Sequence, residues 1–247
     1  MSTSTTQPRT GAAIFFDVLL ELGVEYIFGH TGGAVIPLHV ELNKRMRRGE
    51  KVPRFIMFRQ EGGAGHAAEG YARVSGRSGV ALATSGPGST NLVTPIADAY
   101  KDSVPTVFIT GQVASGAIGT DAFQEVDMVG ITRPISKHNY LVKDVRDLDW
   151  MLREAFAIAA HGRPGPVVVD ICKSVQLAQG VRTNRARKRH REETPFAAGR
   201  ASAILDALVA AKRPVVKAGG GVIIASAVAV ALLNASVTRA STSKFCR

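Results

Sequence analysis

The sequence predicts an α/β fold, an open parallel sheet with helices on both faces, followed by a fragment of a second α/β domain. Short apolar runs at Phe55–Phe58, Gly79–Thr84, Val104–Thr110 and Pro166–Ile171 read as strands. Gly79–Thr84 is apolar on both faces, as a strand between two helix layers must be. Helix-spaced stretches alternate with these runs, and strand–helix alternation argues for parallel order. The 247 residues, 45% apolar with 25 Gly, have the composition of a globular protein and suffice for one domain of good size and part of another.

Each element has its own reason. Thr10 is a candidate N-cap for a helix with Phe15, Leu19 and Leu22 on one face, and Gly23 stops it. Glu25–Phe28 is the first strand. Gly29–Gly33 is a glycine-rich turn whose backbone can approach a ligand, although many such turns bind nothing. A helix from Ala34 to Met46 follows. After Phe55–Phe58, the small residues Ala64, Ala67, Ala68 and Ala72 recur with Tyr71 at helical spacing. Glu61 falls at that strand-to-helix junction, on the carboxyl edge of the sheet, where open α/β folds place ligands. Its carboxylate either faces a ligand or complements the helix N-terminus electrostatically.

Beyond the central strand Gly79–Thr84, Gly and Pro shape a turn at Ser85–Asn91, and a helix is expected from Asn91 to Tyr100. Val104–Thr110 is a strand and Gly111–Glu125 a glycine-rich loop ending in Phe123 and Gln124. Leu148–Ala160 is an amphipathic helix, and Pro166–Ile171 is the last strand. The expected division is a disordered residues 1–9, a domain over 10–179, a basic linker over 180–195 and a truncated second domain over 196–247. In the last part Ala198–Ala211 reads as a helix, and Arg213 begins a strand running into Gly219–Gly221. A lone strand–helix unit cannot bury both its faces. Residues 222–247 are therefore expected to pack poorly or to depend on another chain.

The net charge of +11 is partly concentrated in Arg182, Arg185, Arg187, Lys188, Arg189 and Arg191. Such a run binds nucleic acid or serves as a solvated linker. No aromatic residue is interleaved with it and Pro195 closes it, so a linker is expected, and no nucleic-acid partner. Cys172 and Cys246 make no disulfide framework, which points to a reducing compartment. Met1–Thr10 has no apolar segment of a leader, so a cytoplasmic location is expected. Ala218–Thr238 is uncharged and long enough to span a bilayer. Its Gly219–Gly221 run and polar Ser226, Asn234 and Ser236 fit a buried strand, turn and helix better, and no membrane partner is expected.

Taken together, Arg59–Arg73, Ser85–Asn91, Gly119–Glu125, Ser136–Tyr140 and Gly162–Asp170 resemble the N-terminal, pyrimidine-binding domain of the thiamine-diphosphate enzymes. Within that superfamily the resemblance is to the acetolactate synthase (acetohydroxyacid synthase) large subunit, and it covers Thr10–Gln179. Arg213–Gly221 resembles the start of the family's central, FAD-carrying domain. The resemblance implies the thiamine-diphosphate-binding fold and an enzyme that decarboxylates pyruvate and joins it to a second 2-oxo acid, pyruvate or 2-oxobutyrate, in branched-chain amino acid biosynthesis. Another thiamine-diphosphate-dependent decarboxylase is the alternative within the superfamily, and Gly119–Glu125 favours acetolactate synthase.

The resemblance also implies roles. Glu61 would hydrogen-bond N1′ of the cofactor's aminopyrimidine and favour the imino tautomer at N4′, the internal base for C2. A carboxylate suits this task because its pKa can be tuned in a site shielded from water. Pro87 and Asn91 would cradle the pyrimidine beside the Gly32–Gly33 backbone. Phe123 would pack on the bound intermediate, Gln124 would hydrogen-bond near it, Lys173 would lie near the reaction centre, and Arg163 would reach FAD. Read without the resemblance, Phe123 is core, Gln124 a loop cap, Lys173 a solvated charge and Arg163 a turn residue. His30, His66 and His138 have no metal-ligand spacing, and no metal ligand is assigned.

Some positions depart from the family. Thr31 stands where it has proline, Gln60 and Gly62 flank the glutamate where it has His and Gln, and Cys172 and Ser174 flank the lysine where it has Pro and Asp. In the family, magnesium and the diphosphate are held by a C-terminal domain through a Gly-Asp-Gly segment, and no Gly-Asp dipeptide occurs here. The isolated chain is therefore expected to be inactive, and its partner is expected to be a homodimer mate or a chain carrying the diphosphate-binding domain. A non-catalytic module pairing with a full-length paralogue is the rival reading.

Overall fold

The structure, a computed structural model, describes residues 7–182 and 198–215. The first span runs β1 (Arg9–Thr10), α1 (Gly11–Glu21), β2 (Tyr26–Gly29), α2 (Ile36–Arg47), β3 (Arg54–Met57), α3 (Glu61–Ser75), β4 (Gly79–Ala83), α4 (Pro87–Thr90), α5 (Val93–Asp102) and β5 (Thr106–Gln112). It continues through α6 (Met128–Thr132), β6 (His138–Val142), α7 (Val145–Ala160), β7 (Pro166–Cys172), α8 (Lys173–Leu177) and β8 (Gln179–Gly180), with 3-10 turns at Gly33–Val35, Ser115–Ala117 and Arg133–Ile135. The second span holds α9 (Ala198–Ala210). The chain divides into two units, Met1–His190 and Arg191–Arg247.

Six strands form one sheet in the order β3-β2-β4-β5-β7-β6, every pair parallel. The α/β expectation holds. β4, β5 and β7 are buried along their whole length, and the strand period of two divides their side chains between two cores. Val80, Leu82, Val107, Ile109, Val167 and Val169 join a core built with α1, α2 and α7. Ala81, Ala83, Phe108 and Val168 join a second one with α3 and α5.

That second layer is thin because its residues are small. Ala68 and Ala72 of α3 meet Ala81 and Ala83 of β4, so the helix lies almost on the sheet backbone. A Cβ at Gly79 would stand 2.1 Å from the Ala68 carbonyl oxygen. Neither backbone can give way locally, so Gly79→Ala should destabilise the domain by about 2 kcal/mol or more, the usual cost of overpacking. Urea unfolding of the full chain checks this, and an unchanged midpoint would mean that α3 shifts freely over β4.

The local signals behave largely as read. Thr10 caps α1, accepting from the Ala13 N–H at 3.2 Å, and Gly23 follows the helix at φ 73°. The helix expected from Asn91 to Tyr100 is α5, which starts two residues later, and the turn expected before it contains a short helix of its own. α4 turns once over Pro87–Thr90, Asn91 closes it, and α5 starts at Val93. Gly86 at φ 61° precedes α4, and Pro87 and Pro95 fall in first turns, where a missing N–H costs nothing. β6 was not expected. It is an edge strand, half-buried, that opens on the polar His138 and Asn139.

The folded unit also extends past its expected bounds. β1 pairs antiparallel with β8, Arg9 facing Gly180. Arg182, the first residue of the expected basic run, donates to Glu21 at 2.6 Å and to the buried Asp149 at 3.0 Å. It is an anchor on α1 and α7. The rest of that run, and the uncharged stretch Ala218–Thr238, lie outside the described residues. Among the described residues no helix is long and apolar enough to cross a membrane.

Candidate active site

The connection from β2 leads outward to β3, whereas that from β4 leads to β5 on the other side. The carboxyl ends of β2 and β4 therefore flank the switch point of the sheet, the crevice where such folds bind ligands. The glycine turns Gly29–Gly33 and Thr84–Gly88 sit there. α3 runs across these strands, and its first residue is Glu61.

Glu61 is 9% exposed. Its Oε2 accepts from the Asn91 side-chain amide at 2.9 Å, while Oε1 accepts no hydrogen bond from any described residue. A Cβ at Gly88 would stand 3.3 Å from that Oε1, so glycine leaves the carboxylate open. The helix start does not need Glu61 as its cap, because the Gln60 side chain accepts from the Gly63 N–H at 2.8 Å. This is the task Gln60 performs at a position where the resembled family has histidine.

Gly32 and Gly33 lie across the crevice. A Cβ at Gly32 would fall 2.5 Å from the Thr84 side chain, whereas one at Gly33 would meet nothing within 4 Å. The Ala34 N–H donates to Thr84 Oγ1 at 3.1 Å and the Ala34 carbonyl accepts from Gln176 Nε2 at 2.8 Å. Pro87 begins α4. Gly86 is pressed against the loop from Gly111, since a Cβ there would stand 2.7 Å from the Gln124 carbonyl oxygen. Around this switch point Asn91 bonds both Glu61 and the Pro87 carbonyl, Gly32 abuts Thr84, Gly86 abuts Gln124, and Gly33 has open space beside it.

The loop that carries Phe123 and Gln124 is held from within. The Glu125 carboxylate accepts from the N–H groups of Gly119 and Ala122, and these bonds hold its pKa below the ordinary value. Asp121 and Gln124 take positive φ of 55° and 59°, and Phe123 is left 89% exposed. It is not core. At the loop's start the Ser115 N–H donates to Ser174 Oγ at 3.0 Å, and at its end Gln112 Nε2 donates to the Val126 carbonyl at 2.8 Å.

The same Gln112 amide donates to Asp170 Oδ2 at 2.9 Å, and Thr110 donates to Oδ1 at 2.7 Å. Asp170, in the centre of β7, is 1% exposed. Burial pushes its pKa up to about 7 against those two bonds, with Asp127 adding to the rise. Cys172 is raised to about 11, first by burial and then by Asp170.

Lys173 stands at the carboxyl end of β7 as the first residue of α8, half-buried. It shares the sheet edge with the crevice, and among the described residues no hydrogen bond or ion pair joins its side chain to it. Arg163 is elsewhere. It precedes β7, at the opposite edge, and its guanidinium donates to Ser103 Oγ at 2.8 Å and to the Lys101 carbonyl at 3.0 Å. It also lies over the Tyr100 ring at 5.8 Å, closing the end of α5.

Residues 9–131 match the thiamine pyrophosphate enzyme, N-terminal TPP binding domain family. The chain is 50% identical over 222 residues to acetolactate synthase of Mycobacterium bovis, covering 88% of this chain and 35% of that protein. It is 55% identical over 170 residues to the acetolactate synthase large subunit of Corynebacterium glutamicum, 69% of this chain and 26% of that one. With that of Parasynechococcus marenigrum it shares 46% over 233 residues, 92% and 37%. The chain thus spans about a third of the length of the curated relatives it matches. It belongs to the thiamine pyrophosphate enzymes as an N-terminal TPP-binding domain of the acetolactate synthase large-subunit type.

Proposed function

We propose that this chain supplies the aminopyrimidine half of an acetolactate synthase, the enzyme that decarboxylates pyruvate and joins it to a second 2-oxo acid, pyruvate or 2-oxobutyrate. One observation carries the reading. At the switch point, Glu61 has one oxygen fixed by Asn91 and the other open beside glycine. Thiamine diphosphate, when bound, supplies the carbanion chemistry at its C2.

Glu61 Oε1 would share a proton with N1′ of the pyrimidine, and the bond from Asn91 to Oε2 would keep the carboxyl group from turning away. The open side of Gly33 admits the ring against the backbone. Gln124 and the exposed Phe123 face the reaction from the loop, and Lys173 contributes a positive charge at the same sheet edge. The diphosphate and magnesium belong on the assembly's other part, as does FAD. Toward FAD this chain offers Arg163, which would have to leave the end of α5. The exposed Phe123 supports a partner, a second copy or a chain with the diphosphate-binding domain, that covers the crevice.

The test compares two samples with pyruvate, thiamine diphosphate, magnesium and FAD. The 247-residue polypeptide alone is expected to form no acetolactate, and the same polypeptide mixed with the remaining part of the Corynebacterium glutamicum large subunit is expected to form it. Binding to that part without product would instead support a non-catalytic pairing module.

A further inference from the structure

We propose that Thr84 is a positioning residue that sets the gap between the two glycine turns of the crevice, and hence where a pyrimidine ring lies against Glu61. This rests on the proposed function above. Thr84 follows β4 directly and is 8% exposed. Its Oγ1 accepts from the Ala34 N–H at 3.1 Å, and its carbonyl accepts from the Ser89 hydroxyl at 2.7 Å, both buried. Its methyl fills the space that side chains at Gly32 and Gly88 would claim, 2.5 Å and 2.7 Å from where their Cβ atoms would be. Gly88 in turn borders Glu61 Oε1.

One residue therefore touches both walls of the crevice, through the hydroxyl on the β2 side and the methyl between the two. The wall at Ala34 is pinned at both its peptide groups, by Thr84 at the N–H and by Gln176 at the carbonyl. Valine at position 84 would keep the methyl but leave the buried Ala34 N–H without an acceptor, a state native folds avoid. The wall would then be held on one side only and free to pivot about Gln176.

Two measurements test this. In the full chain, Thr84→Val should raise amide hydrogen exchange at Ala34 by about tenfold or more, and Thr84→Ser, which keeps the acceptor, should restore protection. In the full chain mixed with the rest of the Corynebacterium glutamicum subunit, Thr84→Val should raise the half-saturating thiamine diphosphate concentration about tenfold with less change in kcat, as misplacement of a binding wall does. Thr84→Ser, which keeps the acceptor but not the methyl, should fall between wild type and Thr84→Val, and Thr84→Val should melt lower than wild type because a buried N–H loses its acceptor. If Thr84→Val does not fold, Gly88→Ala gives the second route. Its new methyl collides with Thr84 Cγ2, so the double variant Gly88→Ala with Thr84→Ser should regain much of the cofactor affinity that Gly88→Ala loses.

Unchanged half-saturation in Thr84→Val, or no recovery in the double variant, would overturn the inference while leaving the role of Glu61 standing. A wild-type mixture that takes up no thiamine diphosphate would overturn the functional reading, and this inference with it.

Discussion

Glu61→Gln is expected to slow C2 hydrogen–deuterium exchange of thiamine diphosphate by about 100-fold or more, the loss that follows removal of a positioned acid–base group. The measurement is made on the chain mixed with the diphosphate-binding part of a relative. The substitution is close to isosteric. Its carbonyl oxygen can still accept from Asn91, as Oε2 does now at 2.9 Å. The amide nitrogen then points where Oε1 was and donates to N1′, when the task is to hold a proton there. Stability should hardly move. Gln60 already caps α3 through Gly63, so the charge of Glu61 adds at most about 1 kcal/mol through the helix dipole. The melting temperature of the same variant checks this. Unchanged exchange in a folded variant would reduce Glu61 to a helix-start charge, the other reading its position in the sequence allows.

What could be read from the sequence was whatever is local in the chain. β4, β5 and β7 are legible because buried parallel strands are apolar on both faces, and Glu61 is legible because a strand, a carboxylate and a glycine pair follow one another. β6 is not legible because it opens on the polar His138 and Asn139, whereas the other edge strand, β3, carries an apolar run and is legible. The polar contacts that build the crevice were not legible. Asn91 reaches Glu61 across 30 residues, and Thr84 and Ala34 meet across 50, so only the crossover of α3 and the neighbouring of β2 and β4 bring them together. Motif resemblance assigned Arg163 toward FAD without showing that its guanidinium lies on the end of α5. One signal was present and unused. Val167-Val168-Val169-Asp170-Ile171 places an ionisable group inside an apolar run, and such a group must find partners or shift its pKa.

Asp170 does both, and it should make the domain's stability fall as pH rises. Its pKa is raised from 3.8 to about 7 in the fold, so the folded state holds its proton where the unfolded chain has lost it. The stabilisation is complete below about pH 4 and is lost as pH climbs through about 7. The whole shift corresponds to ~4 kcal/mol. Other groups, Asp144 and Glu125 with their lowered carboxyl pKa values among them, act in the same range or below it with the opposite sign. Burial lowers the pKa of His39 below 6.5, and the hydrogen bond from Arg182 leads in holding Glu21 at about 2; both cost stability as pH falls. A difference measurement separates them. In Asp170→Asn the amide nitrogen can donate to Thr110, whose hydroxyl turns to accept, and the carbonyl takes the Gln112 amide, so both hydrogen bonds survive without a charge. Urea unfolding of wild type and variant from pH 5 to pH 8 should therefore diverge, the variant gaining on wild type as pH rises. Parallel curves would mean that Asp170 ionises in the fold as readily as in the unfolded chain.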